Sequence, residues 1–97
     1  MKPYSFHPDA EAEADAAFEH YWIKGPVLAF ALDAELREAY RTLRGHPLMC
    51  PPYLRGTRRV ILSRYPFSVV FRERLLDIQI IAVAHAKRRP GYWTIRI

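Results

Sequence analysis

The 97-residue sequence predicts an α+β fold of order β-α-α-β-β-β, with an N-terminal helical hairpin packed on one face of a mainly antiparallel sheet. Three observations predict it. Apolar residues recur at helical spacing over 8–22 and again over 26–44, with Gly25-Pro26 between them. From residue 57 onward the apolar period shortens to two, as in half-buried strands. The two halves also differ in charge. Residues 1–48 hold five Lys/Arg against eight Asp/Glu, and residues 49–97 hold ten against two.

In order, Lys2 to His7 alternates as a short strand, with Tyr4 and Phe6 on one side. Pro8 suits the first position of a helix ending near Trp22, and Asp9, Glu11 and Glu13 favour its positive end. Ala10, Ala14, Ala17, Phe18 and Tyr21 form a stripe whose small residues admit a second helix closely. Pro26 restarts the chain into a helix to about Arg44, with Ala29, Leu32, Leu36, Tyr40 and Leu43 inward. Gly45 reads as the residue after its end, and residues 45–56, with three prolines, as a loop.

Strands are expected over Thr57–Leu62, Tyr65–Phe71 and Leu76–Ala84, with a turn at Arg72–Leu75. Alternation puts Phe67, Val69 and Phe71 on one face, and Ile78, Ile80 and Ala82 on one face. Ser68, Val70, Arg72, Gln79, Ile81, Val83 and His85 then face the other way, on a partly exposed side. No repeat or linker interrupts the chain, so residues 1–97 are expected to form a single domain.

Composition narrows the function. At 51% hydrophobic and 13% aromatic, the chain folds rather than staying disordered. No stretch approaches the ~20 apolar residues of a membrane span, and the N-terminus lacks the apolar core of a signal peptide. The lone Cys50 reads as a buried small hydrophobe in a reducing cytoplasm. His7, His20, His46 and His85 lack metal-ligand spacing, so no metal or cofactor is expected. No Gly-rich phosphate loop or serine triad is present. What remains is basic and aromatic. Arg58, Arg59 and Arg64 lie near the first strand after the helices and Arg72 on the next. His85, Lys87, Arg88, Arg89, Tyr92 and Trp93 lie at and beyond the last. Such a field suits a phosphate backbone or an acidic protein. Arg55, Arg74 and Arg96 read as solvent-facing, and Tyr92 and Trp93 also suit pinning the C-terminus against the helices.

Three stretches resemble the RelE/ParE toxins. They are Phe6-His7-Pro8 leading from strand to helix, the run Tyr65–Phe71, and the closing Ile81–Trp93. In the last, Ala82-Val83-Ala84-His85, the basic run and Pro90-Gly91-Tyr92-Trp93 look like a common ending of ParE-like chains. The resemblance implies the toxin of a type II toxin–antitoxin system, acting in growth arrest or plasmid stabilisation. It further implies a cytoplasmic hetero-oligomer with a cognate antitoxin, whose acidic or amphipathic C-terminal segment wraps hairpin and sheet. The basic second half fits an acidic partner independently.

Two activities follow from the two branches of the superfamily. In the ParE-like one, favoured here, the chain inhibits DNA gyrase without catalysis, contacting its target through Arg58, Arg59, Lys87, Arg88, Arg89, Tyr92 and Trp93. In the RelE-like alternative it cleaves mRNA on the ribosome without a metal. His85 is then acid or base, Arg59, Arg88 or Arg89 clamps the phosphate, and Tyr92 stacks on a base. One departure favours the first. The RelE branch commonly carries a phosphate-gripping arginine after the aromatic that opens the middle strand, whereas Pro66 follows Tyr65 here and carries neither donor nor charge. The sequence also lacks a C-terminal helix with a catalytic tyrosine at RelE-like distance.

Overall fold

A computed structural model describes residues Met1–Ile97. Helix α1 spans Pro8–Lys24. The proline needs no intrahelical donor, and the His7 Nδ1 accepts the Asp9 N–H at 3.1 Å, satisfying one orphaned amide of the first turn. The helix runs two residues past Trp22 and ends at Gly25, whose N–H donates to the Tyr21 carbonyl. Helix α2 spans Pro26–Gly45 and buries Ala29, Leu32, Leu36, Ala39, Tyr40 and Leu43. Gly45 is its last helical residue rather than the one beyond, and His46 closes it. The proline-rich segment that follows holds two single helical turns, Pro47–Met49 and Leu54–Gly56. Cys50 is buried there, and burial pushes its thiol pKa up, as expected of an inert thiol.

Four strands form one sheet in the order β1-β4-β3-β2: β1 Tyr4–Phe6, β2 Arg58–Ile61, β3 Phe67–Glu73 and β4 Ile78–His85. The pairs β2–β3 and β3–β4 are antiparallel, and β1 lies parallel to β4. The parallel pair joins the two strands separated in sequence by both helices and by β2 and β3. Strand β3 starts at Phe67 rather than Tyr65 because Pro66 cannot donate to a ladder. The turn before it is held by Glu35 of α2, whose Oε1 accepts the Ser63 and Arg64 N–H groups at 2.6 and 3.0 Å.

The register slips between Val70 and Phe71, which pair with Ala82 and Ile80 and leave Ile81 as a bulge. The bulge corrects the simple alternation. Ile78, Ile80 and Val83 join the core under the helices, while Ile81 and Ala82 both turn to the other face. His85, cross-strand from Phe67, falls with the helix-side set and not the outer one.

The helix-side core contains Leu32, Leu36, Leu43, Phe67, Val69, Phe71, Ile78 and Ile80. The outer face is not left half open. A second small core of Val70, Ile81 and Ala82 is covered by Trp93, with Tyr53 and Tyr92 packed beside it. Trp93 is 1% exposed. The tail is therefore pinned to the sheet, on the side away from the helices.

The β3–β4 turn carries a pH-dependent contact. Asp77 accepts two hydrogen bonds from the Arg74 guanidinium, both at 2.6 Å, and one from the Ser5 hydroxyl at 2.8 Å. Arg74 first, then Ser5, hold its pKa down to about 2. A carboxyl with a lower pKa in the folded state stabilises above its unfolded pKa of about 4, and that contribution disappears as the pH falls towards 2. Urea unfolding of the parent and Asp77→Asn should differ at pH 6, with the difference closing by pH 2. A difference independent of pH would contradict the assignment.

Candidate basic groove on the outer sheet face

The groove is built where β2, β3 and β4 present alternate residues outward: Arg59 and Ile61, Ser68 and Val70, and Ala84. The tail from His85 to Trp93 rises over one side and Tyr53 closes another, enclosing about 240 Å³. Trp93 forms part of the floor, its ring centroid 5.9 Å from that of Tyr53.

Two arginine–tyrosine stacks dominate the walls. The Arg59 guanidinium carbon lies 3.9 Å from the Tyr53 ring centroid, and that of Arg88 lies 3.7 Å from Tyr92. Stacking fixes the guanidinium planes and leaves their edges to meet carboxylates or phosphates. It also covers one face of each tyrosine. The Tyr92 hydroxyl donates to Glu13 Oε2 at 2.6 Å. Burial first, then that bond, raises its pKa far above the ordinary tyrosine value. The Nδ1 of His85 accepts the Lys87 N–H at 3.0 Å, and the ring meets Phe67 edge-on at 5.1 Å.

The structure thus gathers Arg59, His85, Arg88, Arg89, Tyr92 and Trp93 around one groove, with exposed Lys87 in the turn beside them. Arg58 is not among them. It alternates to the other side of β2, where its Nη1 donates to the Cys50 carbonyl at 2.7 Å. Arg64 lies 3.7 Å from Glu35 and Arg72 donates to Gln79, both outside the groove lining.

Sequence reading missed three contributors. Tyr53 sits in an irregular loop, where periodicity carries no signal. Glu13 was read only as a favourable charge near a helix start. Arg96 is not solvent-facing: its side chain is 11% exposed and its Nη1 lies 2.9 Å from Glu13 Oε1. The contact spans 83 residues, so no local pattern marks it.

A second exposed feature lies at the far end of the hairpin. Phe18 and Trp22 stack at 5.9 Å, and Phe30 of α2 meets them edge-on at 5.8 Å each. Ile23 and Val27, beside the break between the helices, are 86% and 80% exposed.

A helical hairpin on a four-stranded mixed sheet, with a stacked-arginine groove on the opposite face, defines a small α+β protein. Residues 4–90 match the family model described as "ParE toxin of type II toxin-antitoxin system, parDE". The chain belongs to the ParE toxin family. It is similar to a solved chain from P. aeruginosa described as "Chromosomal ParDE TA system from P. aeruginosa", with a TM-score of 0.78 and 26% identity. That match covers 90% of this chain and 98% of the other. No curated protein shows significant similarity to the chain. No helix is long and apolar enough to cross a membrane.

Proposed function

We propose that this ParE-family protein arrests growth by inhibiting DNA gyrase, binding the enzyme or its DNA through the basic groove without covalent chemistry. The observation that carries the reading is the occupation of the groove's tyrosines. Metal-free RNA cleavage needs a free acid, a free base and usually an aromatic platform for a base. Here the Tyr92 hydroxyl is committed to Glu13, and Arg88 and Arg59 each cover a tyrosine face. His85, the remaining imidazole at the groove, has its Nδ1 accepting the Lys87 N–H and its ring turned against Phe67; the rest is an array of oriented guanidinium groups, suited to gripping anions and not to moving protons.

The same reading assigns a cognate antitoxin as the neutralising partner. Its acidic residues complement the groove, and its apolar residues find the Phe18–Trp22–Phe30 cluster, in which Trp22 and Phe30 are 47% and 57% exposed. Target-contacting roles fall to Arg59, Lys87, Arg88, Arg89 and Tyr92, with Trp93 as the floor that holds them.

The test is expression of the chain without antitoxin, with plasmid supercoiling and mRNA integrity read in the same cells. Growth arrest with lost supercoiling or broken DNA, and intact mRNA, is the expected result. Messenger RNA cut within coding regions at normal supercoiling would overturn it. His85→Ala adds a second discriminator. On the present reading it retains growth arrest to within about twofold, because a binding surface loses only one partly buried ring. A nuclease would lose the activity.

A further inference from the structure

Strand β1 ends at Phe6, and its last hydrogen bond to β4 runs from the His7 N–H to the Ile80 carbonyl at 2.8 Å. Beyond that point β4 continues for five residues with no strand on this side. Its edge groups would be orphaned in a partly buried place, which proteins avoid. Two side chains stand where the strand is missing. Glu13 Oε1 accepts the Val83 N–H at 3.1 Å, and Arg96 Nη1 donates to the Ile81 carbonyl at 2.9 Å. The two are joined to each other by Nη1–Oε1 and Nη2–Oε2 contacts of 2.9 and 3.0 Å.

Glu13 also reaches the groove. Its Oε2 accepts the Tyr92 hydroxyl at 2.6 Å and lies 3.5 Å from Arg88 Nη1, while Arg88 covers the Tyr92 ring. One carboxylate of helix α1 thereby meets the free edge of β4 at Val83, the aromatic wall of the groove, its stacked arginine and Arg96 of the tail. Tyr92, Trp93 and Arg96 lie beyond the residues matched by the family model.

We propose that Glu13 is the positioning residue of the basic groove: from α1 it seats the C-terminal tail and sets Arg88 and Tyr92 for the target. The proposal rests on the reading that the groove contacts the target. It makes the groove an assembly of hairpin and tail rather than of sheet alone. Burial alone would raise the Glu13 pKa, but the bonds from Arg96, Tyr92 and the Val83 N–H outweigh it and lower the pKa, so the carboxylate is held ionised in its place.

The experiment uses the full chain carrying Trp22→Phe, so that fluorescence reports Trp93 alone. Glu13→Gln keeps the shape and removes the charge. Arg96→Gln removes the partner, and Glu38→Gln on the exposed face of α2 serves as control. In Glu13→Gln and Arg96→Gln, Trp93 emission should move to the red. Trypsin should cut after Lys87 or Arg88 about tenfold faster or more, as expected when a charge-assisted hydrogen bond leaves a locally opening segment. Growth arrest should fall while far-UV circular dichroism stays parental. The control should match the parent throughout. Glu13→Gln with a buried Trp93, a parental cleavage rate and full growth arrest overturns the proposal. So does a released tail with undiminished arrest, because Glu13 would then not position the groove. Failure of the gyrase reading would appear in the parent itself, as unchanged supercoiling. Failure of the Glu13 assignment appears only in the variants.

Discussion

Trp93→Ala is expected to cost about 3–5 kcal/mol of stability, the usual range for removing a large buried aromatic. Trp93 is among the largest fully buried side chains, and it is the fully buried tail residue that packs with Val70, Ile81 and Ala82. A chain of this length has a total stability of roughly 5–15 kcal/mol, so the variant loses a large share of its margin. The loss should begin on the outer face, because the helix-side core does not include Trp93. Urea unfolding should show a lower midpoint. Amide exchange should show β4 and the tail opening before α2. An unfolding free energy within about 0.5 kcal/mol of the parent would mean that the tail contributes little to the fold.

Lys87→Ala/Arg88→Ala/Arg89→Ala is expected to abolish growth arrest with little loss of stability. All three side chains are exposed. Their polar contacts to the rest of the chain are few: Arg88 lies 3.5 Å from Glu13, already beyond a strong charged hydrogen bond. Functionally they are the densest run of positive charge beside the groove. Loss of an arginine cluster at a binding surface weakens affinity by at least about a hundredfold, or roughly 3 kcal/mol. The check is colony formation on induction, with urea unfolding of the purified variant to establish its fold. Full toxicity in a folded variant would place target contact elsewhere on the chain.

The two variants separate what holds the groove from what the groove offers. Trp93 lies under it and acts through packing; the basic run lies on its rim and acts through charge. The assignment to the ParE toxin family says nothing by itself about this division, which comes from burial and hydrogen bonding.

Much of the architecture was legible in the residues. The alanine stripe Ala10, Ala14 and Ala17, the break at Gly25-Pro26 and the stripe from Ala29 to Leu43 give a close-packed hairpin because helical spacing is a local property. Phe67, Val69 and Phe71 show their buried face in the same local way. The concentration of positive charge after residue 48 pointed to the half of the chain that builds the groove. Arg59, Arg88, Arg89 and Tyr92 were recognisable there as a basic and aromatic set.

Other features arise only where distant segments complete one another in the fold. Periodicity put Ala82 with Ile80, but a single bulged residue at Ile81 reverses the faces after it, and a bulge has no sequence period of its own. In sequence Trp93 suits a place against the helices, whereas in the fold it covers Val70, Ile81 and Ala82 on the other side of the sheet. Arg96 read as a surface charge because nothing beside it in the chain needs a cation. Its partners, Glu13 and the Ile81 carbonyl, are 83 and 15 residues away. The elements, their order and the sign of the field follow from the residues alone. Which charges are buried, and which face the tail covers, depended on backbone groups that β1 was too short to pair. Such unmet hydrogen-bonding groups exist only once the sheet has formed.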